Sequence, residues 1–150
     1  MIKYIDLFAG VGGIRLGVSQ ALSRNGIEAK CVLSSEINEK ACETYQLNFG
    51  EHPSGDIKLI TEVEPFDLLL GGFPCQPFSI MGYQRGFKDS RGNLFFEIAR
   101  ILEVKRPRAI LLENVKNLEG HDKGNTFKVI KEHLEMLGYH VHHKVLSHLP

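Results

Sequence analysis

Ile2-Lys3-Tyr4-Ile5-Asp6-Leu7-Phe8-Ala9-Gly10-Val11-Gly12-Gly13-Ile14 is the stretch that decides the fold class. Ile2 to Leu7 is a short, mostly apolar run that suits a strand, and it turns on glycines into a helical pattern. Val11, Ile14, Val18, Ala21 and Leu22 fall on one face of that helix, and Asn25-Gly26 stops it. A strand that leads through glycines into an amphipathic helix is the opening of a βαβ unit.

The alternation continues outward from there. Ala29 to Leu33 makes a second strand, and Asn38 is placed to cap a helix whose inner face carries Ala41, Cys42 and Tyr45. Phe66 to Leu70 is continuously apolar apart from Asp67, as expected of a strand buried on both faces. Leu94, Phe95, Ile98, Ile101 and Leu102 form a helical stripe ending before Pro107, and Ala109 to Leu112 reads as another buried strand. Phe127, Ile130, Leu134 and Leu137 form a last helix face, closed by Gly138 at C′. His140 to Leu146 looks like a final strand. The reading is an α/β fold, a mostly parallel sheet with helices on both faces. Gly71 to Asn93 has no clean periodicity, and a loop that long in a compact domain is usually functional.

The 150 residues suit one domain, with 43% hydrophobic and 24% charged residues, which excludes disordered and low-complexity classes. No apolar run approaches the roughly 18 residues of a membrane span. Met1 to Asp6 lacks the layout of a signal peptide, so the expected location is cytoplasmic and no membrane partner is expected. Lys plus Arg equals Asp plus Glu at 18 each. A domain that grips nucleic acid alone would be basic, so either no polyanion is bound or the basic surface lies elsewhere. Three cysteines without a C-x-x-C pair support neither a disulfide framework nor a zinc site.

Glycines after a first strand let backbone approach a ligand, and the helix start offers unpaired N–H groups. Glu36, at the end of the second strand, is placed to hold both hydroxyls of a ribose. Together they point to an adenosine-type cofactor, with NAD and S-adenosylmethionine both allowed. Asp56 could accept from an adenine amino group. Cys75, in Gly71-Gly72-Phe73-Pro74-Cys75-Gln76-Pro77-Phe78-Ser79, stands just beyond a buried strand, where doubly wound sheets place ligands. Glu113 ends the next strand at the corresponding place. Cys31 and Cys42 read as core. His140 and His142 would share a strand face, but no third ligand accompanies them, so no metal site is expected.

Three stretches carry a resemblance: Asp6-Leu7-Phe8-Ala9-Gly10-Val11-Gly12-Gly13, then Gly72-Phe73-Pro74-Cys75-Gln76-Pro77-Phe78-Ser79, then Glu113-Asn114-Val115. In order and spacing they resemble motifs I, IV and VI of the DNA (cytosine-5)-methyltransferases, and Asp89-Ser90-Arg91-Gly92-Asn93-Leu94 resembles the end of that family's active-site loop. The Phe-Pro-Cys-Gln form is similar to that of bacterial restriction–modification enzymes.

The resemblance implies the Rossmann-like fold of S-adenosylmethionine-dependent methyltransferases and methylation of C5 of cytosine in DNA. It implies that Cys75 is the nucleophile and Glu113 its acid partner, with Gln76, Asn114 and Arg91 beside them. It further implies that Phe8, Gly10, Val11, Gly12, Gly13, Glu36, Ile37, Asp56, Ile57, Gly72, Pro74 and Leu94 line the cofactor site. Ile37 departs from the aromatic residue frequent there. The substrate implied is double-stranded DNA with the cytosine flipped out. The family's Gln-x-Arg-x-Arg motif, target-recognition domain and closing motifs have no counterpart in residues 1–150. The expectation is therefore the N-terminal portion of a catalytic domain, from a longer enzyme or one completed by a second polypeptide, and inactive alone. Two rivals remain: a NAD-binding Rossmann domain, which gives Cys75 and Glu113 no role, and a non-catalytic cofactor-binding partner subunit.

Overall fold

The computed structural model describes residues 1–75 and 93–147. The chain divides into two compact units, Met1–Phe73 with Val104–Glu113, and Pro74–Glu103 with Asn114–Pro150.

The first unit is built on a parallel sheet of β1 (Ile2–Leu7), β2 (Ala29–Ser35), β3 (Leu68–Gly71) and β4 (Ala109–Leu112), in the order β2-β1-β3-β4. β1 pairs Tyr4 with Leu68 and Leu7 with Gly71 of β3, and β3 pairs Leu68 with Ala109 of β4. Tyr4, Asp6, Leu68 and Leu70 therefore share one face, because strand side chains alternate. Helix α1 (Gly13–Arg24) packs Ile14 and Val18 against Tyr4 and Leu70 on that face. Helix α2 (Glu39–Phe49) reaches the same face through Tyr45. On the other face Ile5, Leu7 and Leu69 are fully buried, each worth roughly 1.5–3 kcal/mol in apolar surface removed from water.

Local chemistry sets the element ends. Asn38 Oδ1 accepts from the Ala41 N–H at 3.0 Å, the cap expected of it. Asp67 uses its carboxylate on the Lys3 N–H (2.9 Å) and its own N–H on the Lys3 carbonyl (2.8 Å), so β3 opens at Leu68 rather than Phe66. β2 runs on to Ser35, two residues beyond the predicted strand, because it pairs with β1 as far as Leu7.

In the second unit lie most of α3 (Leu94–Lys105) and all of α4 (Asn125–Met136). Asn93 Oδ1 accepts from the Phe95 N–H at 2.9 Å and starts α3. The two helices meet where the Phe95 and Phe96 rings stand edge-on to the buried His133, with centroids 6.0 and 5.5 Å away. Burial holds the His133 imidazole below its ordinary pKa. Gly138, at φ +98°, follows the end of α4 as the sequence predicts.

Three further expectations are corrected. Val11 is not on the α1 face: it precedes the helix and is 51% exposed, because Gly12 caps α1 and the first turn begins at Gly13. β4 is not fully buried, since it is an edge of the described sheet and Leu111 is 46% exposed. His140 to Leu146 forms no strand: it pairs with no strand among the described residues, and a ladder needs a second backbone. Among the described residues no helix is long and apolar enough to cross a membrane.

Candidate active site

The chain leaves β1 toward β2 on one side, then returns to β3 on the other. The carboxyl ends of β1 and β3 are therefore a topological switch point, where an open α/β sheet leaves a crevice. Phe8-Ala9-Gly10-Val11-Gly12 crosses it. The turn needs left-handed backbone at Phe8 (φ +53°), Gly10 (φ +55°) and Gly12 (φ +95°), natural for glycine and costly for phenylalanine. A Cβ at Gly10 or Gly13 would meet no atom within 4 Å, so the loop leaves room for a ligand there. A Cβ on Gly12 would instead overlap the Phe49 ring. The Ala9 N–H donates to the Ser35 carbonyl (2.9 Å) and anchors the loop to the end of β2.

Glu36 follows β2 directly. Its Oε1 accepts from the Gly10 N–H and its Oε2 from the Ile37 N–H, both at 3.2 Å. The carboxylate thus faces the glycine loop. The segment carrying Asp56 is tied to the same place: the Glu36 N–H donates to the Ser54 carbonyl (3.0 Å) and the Ser35 hydroxyl to the Gly55 carbonyl (2.7 Å). Asp56 Oδ1 accepts from the Lys58 N–H and caps a single helical turn, Ile57–Leu59, whose Ile57 is buried. Ile37 is exposed, an aliphatic side chain free to cover a flat ligand. A carboxylate, a glycine turn and a helix start in one crevice fit an adenosine-type ligand.

Gly72 leaves β3 with its N–H toward the Leu7 carbonyl at 3.4 Å. A Cβ there would stand 3.2 Å from Ile14 Cδ1 and 3.4 Å from Glu113 Oε2, so the missing side chain is what lets the Glu113 carboxylate approach the end of β3. The Glu113 N–H donates to the Gly71 carbonyl at 2.9 Å. The first unit therefore brings together Phe8, Gly10, Val11, Gly12, Gly13, Glu36, Ile37, Asp56, Ile57, Gly72 and Glu113.

Pro74, Cys75, Leu94 and Asn114 belong to the second unit. Cys75 is half-buried, four residues along the chain from the end of β3, and Asn114 Oδ1 accepts from the Val115 N–H at 2.8 Å. Gln76 and Arg91, with the rest of the long loop, lie outside the described residues. Cys31 and Cys42 are buried, as expected of core thiols, and burial pushes the Cys31 thiol up to about 11. Cys42 Sγ donates to the Glu36 carbonyl at 3.3 Å.

One polar network escapes the sequence reading. The buried Tyr45 hydroxyl donates to Asp6 Oδ2 at 3.0 Å and accepts from Arg15 Nη1 at 2.9 Å, and Arg15 also pairs with Glu51. Burial pushes the Asp6 carboxyl up to about 6. The Tyr45 hydroxyl and the Arg15 guanidinium oppose that rise, and the Glu36 carboxylate adds to it. Its signal in the sequence is the lone acid inside Tyr4-Ile5-Asp6-Leu7.

Comparison with known proteins matches residues 2–148 to the model of the C-5 cytosine-specific DNA methylase family. The type II methyltransferase M.BanI of Aneurinibacillus aneurinilyticus is 59% identical over 146 residues, 97% of this chain and 34% of that protein. The type II methyltransferase M.HhaI of Haemophilus parahaemolyticus is 51% identical over 150 residues, 99% of this chain and 44% of that protein. Among solved structures, the Dnmt2 methyltransferase of S. pombe superposes with a TM-score of 0.60 at 25% identity, covering 88% of this chain and 39% of that one. The chain thus spans less than half the length of these relatives.

Proposed function

Because the chain belongs to the C-5 cytosine-specific DNA methylase family, we propose that it contributes the cofactor crevice and the catalytic cysteine and glutamate of a DNA (cytosine-5)-methyltransferase of a restriction–modification system. Its α/β fold is the Rossmann-like fold of S-adenosylmethionine-dependent methyltransferases. The observation that carries the proposal is the crevice of the first unit, where Glu36 faces Gly10 and Glu113 approaches Gly72 at the ends of adjacent strands.

In this reading the glycine loop and Glu36 hold the adenosine end of S-adenosylmethionine, with Asp56, Ile57 and Ile37 at the base. The bound cofactor supplies an electrophilic methyl group. The Cys75 thiolate adds to C6 of a flipped cytosine, and Glu113 protonates or hydrogen-bonds N3, so that the ring carbon C5 becomes nucleophilic. After C5 has been substituted it loses its proton, and the Cys75 sulfur leaves C6. Gln76, Asn114 and Arg91 are assigned to the surroundings of that base, and Gly72, Pro74 and Leu94 to the cofactor wall. The activity is assigned to residues 1–150 acting with segments that correspond to the rest of the relatives' length, in the same chain or in a second polypeptide. Those segments would carry the groove-reading surface that a chain of zero net charge does not supply.

Titration with labelled S-adenosylmethionine against NAD tests the cofactor. The expected result is saturable binding of the first alone; preference for NAD would overturn the reading. The second test is methyl transfer to duplex DNA, with 5-fluorocytosine to trap the sulfur adduct, in an enzyme completed by the C-terminal part of a relative. Turnover by the Cys75→Ser variant would remove Cys75 as nucleophile.

A further inference from the structure

Arg15, Tyr45 and Asp6 come from three different elements, and one oxygen joins them. The Tyr45 hydroxyl is bonded to Asp6, two residues before the glycine loop begins at Phe8, and to Arg15, two residues after it ends at Gly13. It is therefore a single buried atom that ties the strand entering the loop to the helix leaving it. The same helix face touches the loop twice more. Asn48 Nδ2 donates to the Val11 carbonyl at 3.0 Å, and the Phe49 ring fills the space beside Gly12. The rings of Tyr45 and Phe49 meet at a tilt of 48° with centroids 4.7 Å apart, and the Arg15 guanidinium lies 4.3 Å from the Phe49 centroid.

We propose that Tyr45, with Asn48 and Phe49 on the same face of α2, is a positioning residue that holds the glycine loop in the conformation that binds the adenosine cofactor. This rests on the cofactor reading above. All three act on the cofactor site through the backbone of Phe8 to Gly13. A loop with three left-handed residues, one of them phenylalanine, needs such over-determination, because its free conformations lie elsewhere. Removing the Tyr45 hydroxyl leaves Asp6 and Arg15 without their common partner, so the strand entering the loop and the helix leaving it are no longer tied through one atom.

The test compares the chain with its Tyr45→Phe variant by amide hydrogen exchange without ligand and by calorimetric titration with S-adenosylmethionine. Exchange at the Gly10 and Gly12 amides should rise about tenfold relative to the Ile5 and Leu69 amides, and the cofactor Kd should rise about three- to tenfold. Exchange rising by one common factor at all four amides would overturn the proposal, because that marks general destabilisation. Loop-specific exchange with an unchanged Kd would overturn it too. Where Tyr45→Phe does not fold, the exposed Asn48→Ala carries the same test, with the same local rise expected. Failure of the parent chain to bind S-adenosylmethionine would overturn the cofactor reading itself. That outcome is distinguishable, since the exchange difference at Gly10 and Gly12 would still appear.

Discussion

The Phe49 ring occupies the space that a Cβ on Gly12 would need. Gly12 also sits at φ +95°, so two independent costs meet at one position. Gly12→Ala should destabilise the chain by about 2–5 kcal/mol, the sum of left-handed strain and overpacking. Urea melts measure it. Adding Phe49→Leu should recover the overpacking part and leave the backbone part, so full recovery would mean that φ carries no cost.

The buried Asp6 gives a pH dependence whose sign is fixed. Its carboxyl is pushed up to about 6 from 3.8, so the folded chain holds a proton that the unfolded chain releases. Its stabilising contribution is present below about pH 4 and is lost as pH rises through 6. A shift of that size is worth on the order of 3 kcal/mol. The difference in stability between the parent and Asp6→Asn, followed from pH 4 to 7, should fall across that window. A flat difference would show that Asp6 titrates normally.

Much of this was legible in the sequence because it is local. The Asn38 cap, the Gly138 stop, the glycine turn after Leu7 and the placement of Glu36 after β2 each depend on a few neighbouring residues. The rest depends on partners far along the chain. Asp6, Arg15, Tyr45 and Glu51 form one network only after α2 has packed on β1, and no spacing announces it. The apolar run Ala109 to Leu112 signals a strand but not its place at an edge. His140 to Leu146 looks like a strand in the sequence, yet a strand exists only where another backbone pairs with it.

Glu36→Ala should weaken S-adenosylmethionine binding by about 1.5–3 kcal/mol, the range for hydrogen bonds to a charged group. It also removes the acceptor of the Gly10 N–H, so the loop loses one anchor in the free state. Calorimetry measures the change. Unchanged affinity would mean that the ribose is held elsewhere.

Gly72→Ala separates stability from chemistry. No left-handed backbone is required at Gly72, so the substitution carries no strain of that kind. The new Cβ would press on Ile14 Cδ1 at 3.2 Å and on Glu113 Oε2 at 3.4 Å, both at the ends of flexible side chains. Glu113 is exposed and can swing aside at little cost, so the stability change should stay below about 1 kcal/mol. The rate should respond differently. In the proposed role of Glu113, a carboxylate displaced by a few tenths of an ångström would no longer meet the pyrimidine N3 squarely, and misplacement on the scale of 1 Å can cost about 100-fold. Methyl transfer by the completed enzyme should therefore fall about tenfold or more while its melting temperature holds. Adding Ile14→Val relieves the aliphatic crowding but leaves the carboxylate displaced, so the rate should stay low in the double variant. Recovery of the rate by Ile14→Val would place the effect on α1 packing instead of on Glu113.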